Sequence, residues 1–277
     1  MAIRARSFSG AKKGGSKFVR CLYRWAPSLL LTALLLSCGA PKPGSAPELT
    51  VAAAADLETA FREIARAFEV QTGARVVLSF AASGNLKQQI ENGAPFDVFA
   101  SANVAYVDDL TKQGLVIPDS RRIYARGQIT LWQRKDTSVP VDSLADLARP
   151  EVKHVAIANP GHAPYGMAAV QALQSAGVYN QVEPKLVRGE NIIETLQFVE
   201  TGNAEAGIVA LSISDRPAGR WSVIDPSLYK PIDQAACVVA STRREALARR
   251  FVDFLGKPEA IEALERYGFT VPASPNE

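Results

Sequence analysis

The sequence predicts an α/β fold with mostly parallel sheets, and three features carry that expectation. From Glu48 onward, short apolar runs alternate with segments whose apolar residues recur at helical spacing. Glycines follow several of the helical segments, where a left-handed residue closes a helix without steric cost. Hydrophobic residues make up 47% of the 277, enough to bury the core of one large domain or of two lobes.

The elements follow in order. Leu49–Ala54 reads as a strand, and Leu57–Val70 as a helix with Leu57, Phe61, Ile64, Ala65 and Phe68 on one face. Gly73 closes that helix, Arg75–Phe80 is the next strand, and Gly84–Glu91 is a short helix ended by Gly93 and Pro95. Phe96–Ala100 is a strand and Val104–Lys112 a helix stopped by Gly114. The middle repeats the scheme: strand Gln128–Gln133, short helix Ser143–Leu147, strand Val155–Ala158, and a helix from Tyr165 to Ala176 stopped by Gly177. Strand Lys185–Val187, helix Asn191–Glu200 and strand Ala206–Leu211 come next. The chain finishes with strand Ala235–Ala240 and helices Arg243–Leu255 and Pro258–Arg266.

The segment ahead of this body is of another kind. Residues 1–37 hold seven Lys/Arg and no acid, and without them 24 basic residues face 28 acidic ones, a formal charge of −4. The +3 of the whole chain therefore belongs to its leader, and a mildly acidic body argues against a nucleic-acid partner. A basic stretch up to Arg24 precedes the apolar run Trp25–Leu36, too short to stay as a membrane span and suited to export. Leu35-Leu36-Ser37-Cys38 then looks like a lipobox. The expectation is a lipoprotein signal peptide over 1–37, lipidation at Cys38 and a flexible tether over 38–47, rich in Gly, Pro and Ala. That places the body outside the cytoplasm, in the periplasm or at the cell surface. Cys237 is the one thiol left in the body; it lies in an apolar run and is expected to be a buried strand residue.

Parallel sheets bind ligands at the carboxyl ends of their strands, where helices begin. Two such junctions stand out. Ala52-Ala53-Ala54-Ala55-Asp56-Leu57 and Ser79-Phe80-Ala81-Ala82-Ser83-Gly84-Asn85-Leu86 are both runs of small residues leading into a helix. Small side chains let a ligand reach the backbone, and the first amides of a helix have no intrahelical acceptor. Two such termini aimed at one point form an anion site from neutral dipoles, with Ser83 adding a hydroxyl donor. Taken singly, Asp56 and Ser83 also read as ordinary helix caps. Catalysis finds no footing: His154 and His162 have no metal-ligand spacing, and neither a nucleophile elbow nor a phosphate loop occurs.

The blocks Ala-Ala-Ala-Asp-Leu (53–57), Ser-Phe-Ala-Ala-Ser-Gly-Asn-Leu (79–86) and Gln-Ile-Glu-Asn-Gly-Ala-Pro-Phe-Asp-Val-Phe-Ala-Ser-Ala (89–102) resemble the periplasmic molybdate-binding proteins of ABC transporters. The likeness continues through Ala158-Asn159-Pro160, Pro164-Tyr165-Gly166, Gly207-Ile208-Val209 and Arg266-Tyr267-Gly268-Phe269-Thr270, covering Leu49 to Val271. It implies a two-lobed periplasmic-binding-protein fold, each lobe a mostly parallel sheet flanked by helices, with a hinged cleft. Lobe one would be 48–124 plus 231–277 and lobe two 125–230. Molybdate or tungstate would be held by hydroxyls and backbone amides, with no direct metal ligand and no cofactor. The implied oxyanion-binding residues are Asp56, Ser83, Gly84, Tyr165 and Ile192, the last two through their amides. The implied partner is an ABC permease, and the protein would act as a monomer.

Two positions depart from the best-known members: Asp56 replaces a binding serine, and Ala210 a tyrosine hydroxyl. A carboxylate ~4 Å from a dianion costs about 1 kcal/mol per unit charge in water and several in a drier cleft. The expectation is that Asp56 turns its carboxylate back to cap its own helix and presents only its N–H. The alternatives are a protonated, donating Asp56 and a ligand that is another small anion or a metal chelate. Tyr165 is expected to supply the missing hydroxyl.

Overall fold

The computed structural model describes residues 46–272, so the leader, Cys38 and most of the tether lie outside the described residues. Within them, ten strands form two five-stranded sheets. The first has the order β2-β1-β3-β10-β4, with β1 Glu48–Ala54, β2 Arg75–Ala81, β3 Val98–Ser101, β4 Arg122–Gly127 and β10 Ile232–Val238. The second has the order β7-β6-β8-β5-β9, with β5 Ile129–Arg134, β6 Val155–Ala158, β7 Leu186–Gly189, β8 Ala206–Ala210 and β9 Gly219–Val223. In each sheet a single strand runs against the others: β10 between β3 and β4, and β5 between β8 and β9. The expected α/β architecture of mixed, mostly parallel sheets is thus present.

Helices α1 Glu58–Thr72, α2 Ser83–Glu91, α3 Val104–Lys112, α4 Pro164–Ser175, α5 Tyr179–Val182, α6 Ile192–Glu200, α7 Glu245–Phe254 and α8 Pro258–Arg266 flank the sheets. Their ends follow local chemistry. Gly73 closes α1 at φ 68°, a conformation that costs a residue with a Cβ. Asn103 caps α3 by accepting from the Ala105 N–H, and Asn191 caps α6 by accepting from those of Ile193 and Glu194. The apolar stripe read on α1 is buried: Phe61 and Phe68 meet Phe251 and Phe254 largely edge to face. Each such ring contributes about 1.5–3 kcal/mol by leaving water. Cys237 is buried on β10, and burial pushes its thiol up to about 12, so it is un-ionised at neutral pH.

Two strands escaped the sequence pattern. β4 alternates Arg122, Tyr124 and Arg126 at a sheet edge, and four of the five residues of β9 are exposed, so neither shows an apolar run. The first connection between the sheets is the single residue Gln128, because β4 lies wholly in the first sheet and extends past the expected lobe boundary at Tyr124. The chain returns between Val223 and Ile232. β10 begins three residues earlier than expected, which brings Gln234 into the sheet.

Candidate anion-binding site between the two sheets

Strand register decides what meets at the carboxyl edges. β1 and β2 are parallel with Ala54 opposite Ala81, so the turn Ala55–Leu57 and the start of α2 leave the first sheet side by side. β6 and β7 are parallel with Ala158 opposite Gly189, so the loops entering α4 and α6 leave the second sheet side by side. These two edges face each other. The Gly84 N–H donates to the His162 carbonyl at 2.9 Å, and the Ser212 hydroxyl donates to the Asp56 carbonyl at 2.8 Å. Helix α6 packs against the Asp56 turn. Four helical starts, two from each sheet, therefore converge on one small volume, each contributing amides without intrahelical acceptors.

Each of the five residues singled out in the sequence lies in this junction. Ser83, 1% exposed, opens α2, and its Oγ accepts from the Ala102 N–H at 3.0 Å. That bond occupies a lone pair and leaves the hydroxyl proton to donate; no acceptor for it lies among the described residues. Tyr165 and Ile192 are the second and first residues of α4 and α6, so their N–H groups belong to the unsatisfied first turn. Gly84 departs from expectation, since its amide is engaged by His162 rather than presented to a ligand. An added Cβ there would sit 2.7 Å from the His162 oxygen and 2.9 Å from its Cα, so the close approach of the two sheets at this point requires glycine.

Asp56 corrects the sequence reading most sharply. It does not cap its helix: Ala54 holds the cap position of the turn, and no side chain caps either it or α1. The carboxylate is 2% exposed and points across the junction instead. Its Oδ2 accepts from the Tyr165 hydroxyl at 2.8 Å and from Gln234 Nε2 at 2.5 Å. Gln234 is itself held by the Tyr124 hydroxyl, which donates to its Oε1 at 2.9 Å. Gly127 makes room for this arrangement, because a Cβ there would collide with the Tyr165 hydroxyl. Burial in this uncharged pocket pushes the Asp56 carboxyl up to about 6, against the opposing pull of Gln234 and Tyr165. Tyr165 thus brings its hydroxyl to the site, where the acceptor it meets is Asp56. Ala210 ends β8 as a buried residue and offers a methyl group.

Gln234, Tyr124 and Ser212 went unrecognised in the sequence. Gln234 follows Asp233 just ahead of the apolar run Ala235–Ala240 and carries no signal of its own; Tyr124 and Ser212 acquire their roles only by packing across sheets. Grooves of about 490 Å³ and about 660 Å³ are lined by residues of both sheet layers. Ala102, Pro164, Met167 and Lys230 are in the first, and Thr59, Ser212, Arg216 and Tyr267 in the second.

A family model of bacterial extracellular solute-binding proteins matches residues 49–270, the whole two-sheet body. The chain belongs to this family. It is 38% identical over 239 residues to the molybdate-binding protein ModA of Rhodobacter capsulatus, covering 86% of this chain and 94% of that protein. It is 40% identical over 244 residues to ModA of Azotobacter vinelandii, again covering 86% and 94%. The solved Azotobacter vinelandii periplasmic molybdate-binding protein superposes with a TM-score of 0.76 at 31% identity, over 81% of this chain and 99% of that one. The mycobacterial sulfate-binding protein SubI, at 19% identity and a TM-score of 0.71, shares the fold. This solute-binding protein accordingly has the periplasmic-binding-protein architecture and is a binding protein, not an enzyme; it carries no cofactor.

Proposed function

We propose that this solute-binding protein captures molybdate, or tungstate, outside the cytoplasm and delivers it to the permease of an ABC importer. The observation that carries the reading is the convergence of four helical starts and the Ser83 hydroxyl on one buried point, with no Lys or Arg among the five site residues. Amide and hydroxyl dipoles of this kind stabilise a desolvated tetrahedral oxyanion. Its relatives over nearly the full body are molybdate-binding proteins, and a 28% identical Bacillus subtilis relative is described as a putative ABC transporter substrate-binding lipoprotein. The ligand's oxygens would meet Ser83 Oγ and the amides of Asp56, Tyr165 and Ile192, and the metal atom would have no protein ligand. We read the first-sheet segments as one lobe and 129–223 as the other, opening about Gln128 and the 224–231 return.

Calorimetric titration of the purified protein with molybdate, tungstate and sulfate tests the reading. Binding of the first two is expected, and Ser83→Ala should weaken it about 10- to 100-fold, the worth of one hydrogen bond to a charged group. Absence of heat and of any thermal shift with molybdate and tungstate rejects it.

The anchoring part of the proposal rests on Leu35-Leu36-Ser37-Cys38 following a basic, then apolar, leader. Lipid attached at Cys38 would keep a monomeric protein near its permease. Cells fed a labelled fatty acid are expected to label the wild-type chain and not Cys38→Ser; equal labelling of both would exclude Cys38 as the site.

A further inference from the structure

Among the described residues the bottom of the site has one ionisable group with no countercharge. Asp56 sits where the helical starts converge, and no Lys, Arg or His bonds to it. The groups that face it are neutral: Tyr165 from α4, Gln234 from β10, Tyr124 from β4 through Gln234, and Ser212 from the turn after β8. On the helices that pack against its turn, Glu58 of α1 is paired with Arg62, and Glu194 of α6 accepts from the Glu190 N–H. Both side-chain donors reach Oδ2, and no side chain among the described residues donates to Oδ1. A dianion brought beside an ionised, buried carboxylate would meet strong repulsion, with no cation to absorb it.

We propose that Asp56 takes up a proton from solvent when the oxyanion binds, so that the site captures one dianion together with one proton, and the carboxyl donates from Oδ1 to a ligand oxygen. This rests on the oxyanion-binding reading above. It replaces a repelling acceptor with a donor, matching the role of a serine hydroxyl while reducing the negative charge of the bound complex by one. It also sets specificity. A site lined only by donors suits an oxyanion with no proton of its own, whereas an ionised Asp56 would favour one that carries a hydroxyl, such as hydrogen phosphate. Burial already pushes this carboxyl up to about 6 without ligand, and the repulsion of a bound dianion acts in the same direction, so the two together hold the proton at pH 7.5.

Calorimetry of the full chain with molybdate at pH 7.5, in buffers of different ionisation enthalpy, reads the proton directly. About one proton should be taken up per molybdate, and affinity should fall about tenfold per pH unit above pH 6.5. In Asp56→Asn the amide is a permanent neutral donor, so proton uptake and the pH dependence should both vanish while binding persists. Tyr165→Phe is a second probe: losing a donor to Oδ2 should move the pH of half-maximal uptake upward. Molybdate binding without proton uptake, uptake that persists in Asp56→Asn, or binding of phosphate in preference to molybdate would each overturn the proposal and leave an anion-binding protein. Failure to bind any oxyanion would remove the function and the proposal together.

Discussion

Gly84→Ala is expected to weaken ligand capture by about 10- to 100-fold while leaving the protein folded. Gly84 is the second residue of α2, where alanine is a good helix former, so the element itself loses nothing. The cost appears only where the two sheet layers meet. The new Cβ would lie 2.7 Å from the His162 oxygen, 2.8 Å from its Cβ and 2.9 Å from its Cα, and two of those atoms are backbone. Such overpacking costs about 1–3 kcal/mol. It also breaks the 2.9 Å bond from the Gly84 N–H to the His162 carbonyl. If the ligand is held between both edges, that cost subtracts from binding, because the competent conformation becomes a smaller share of the population. Titration with molybdate alongside thermal unfolding of the ligand-free protein separates the effects. Equal affinity in the variant would show that this contact has no part in capture.

The second large effect concerns stability and pH. The Asp56 carboxyl has an ordinary value of 3.8 and is pushed to about 6 in the folded protein by burial, outweighing the bonds from Gln234 and Tyr165. The folded state therefore binds this proton more tightly than the unfolded chain does. Its contribution is most favourable below about pH 4 and is lost as pH rises through about 6, amounting to about 3 kcal/mol. Several carboxylates held low by hydrogen bonds, among them Asp119 and Asp146, act in the opposite direction, so the overall pH profile hides the effect. The difference between Asp56→Asn and wild type isolates it. In denaturant unfolding without ligand, the stability of the variant relative to wild type is expected to rise by about 3 kcal/mol between pH 3.5 and 7.5. A difference that stays flat across that range would mean the buried carboxyl titrates normally.

Gly84 and Asp56 lie on the boundary between pattern and packing. The alternation of apolar runs with helical stripes, the closing glycines and the small-residue junctions at Asp56 and Ser83 were legible in the chain, because strand pleat, helix period and helix-end chemistry are local properties. The α/β class, the positions of most elements and the choice of those two junctions follow from them. The proposed lipidation at Cys38 likewise rests on a contiguous leader.

What the Asp56 carboxylate does is not local. Its partners lie 109 and 178 residues away on α4 and β10, and nothing near Asp56 in sequence distinguishes a helix cap from a group reaching across to Tyr165 and Gln234. A cap would have kept the carboxylate solvated and ionised. Tertiary packing instead turned it into a buried, uncharged surrounding, where desolvation outweighs hydrogen bonding and favours the proton. The same holds for Gly84, a helix-start glycine by sequence and a point of contact between two sheets by structure. Which strand ends open into helices, and thus where the proposed anion site lies, is already written in the chain. Which of those groups face one another is a matter of packing, because their meeting depends on the parallel registers of β1 with β2 and β6 with β7 and on the crossing at Gln128.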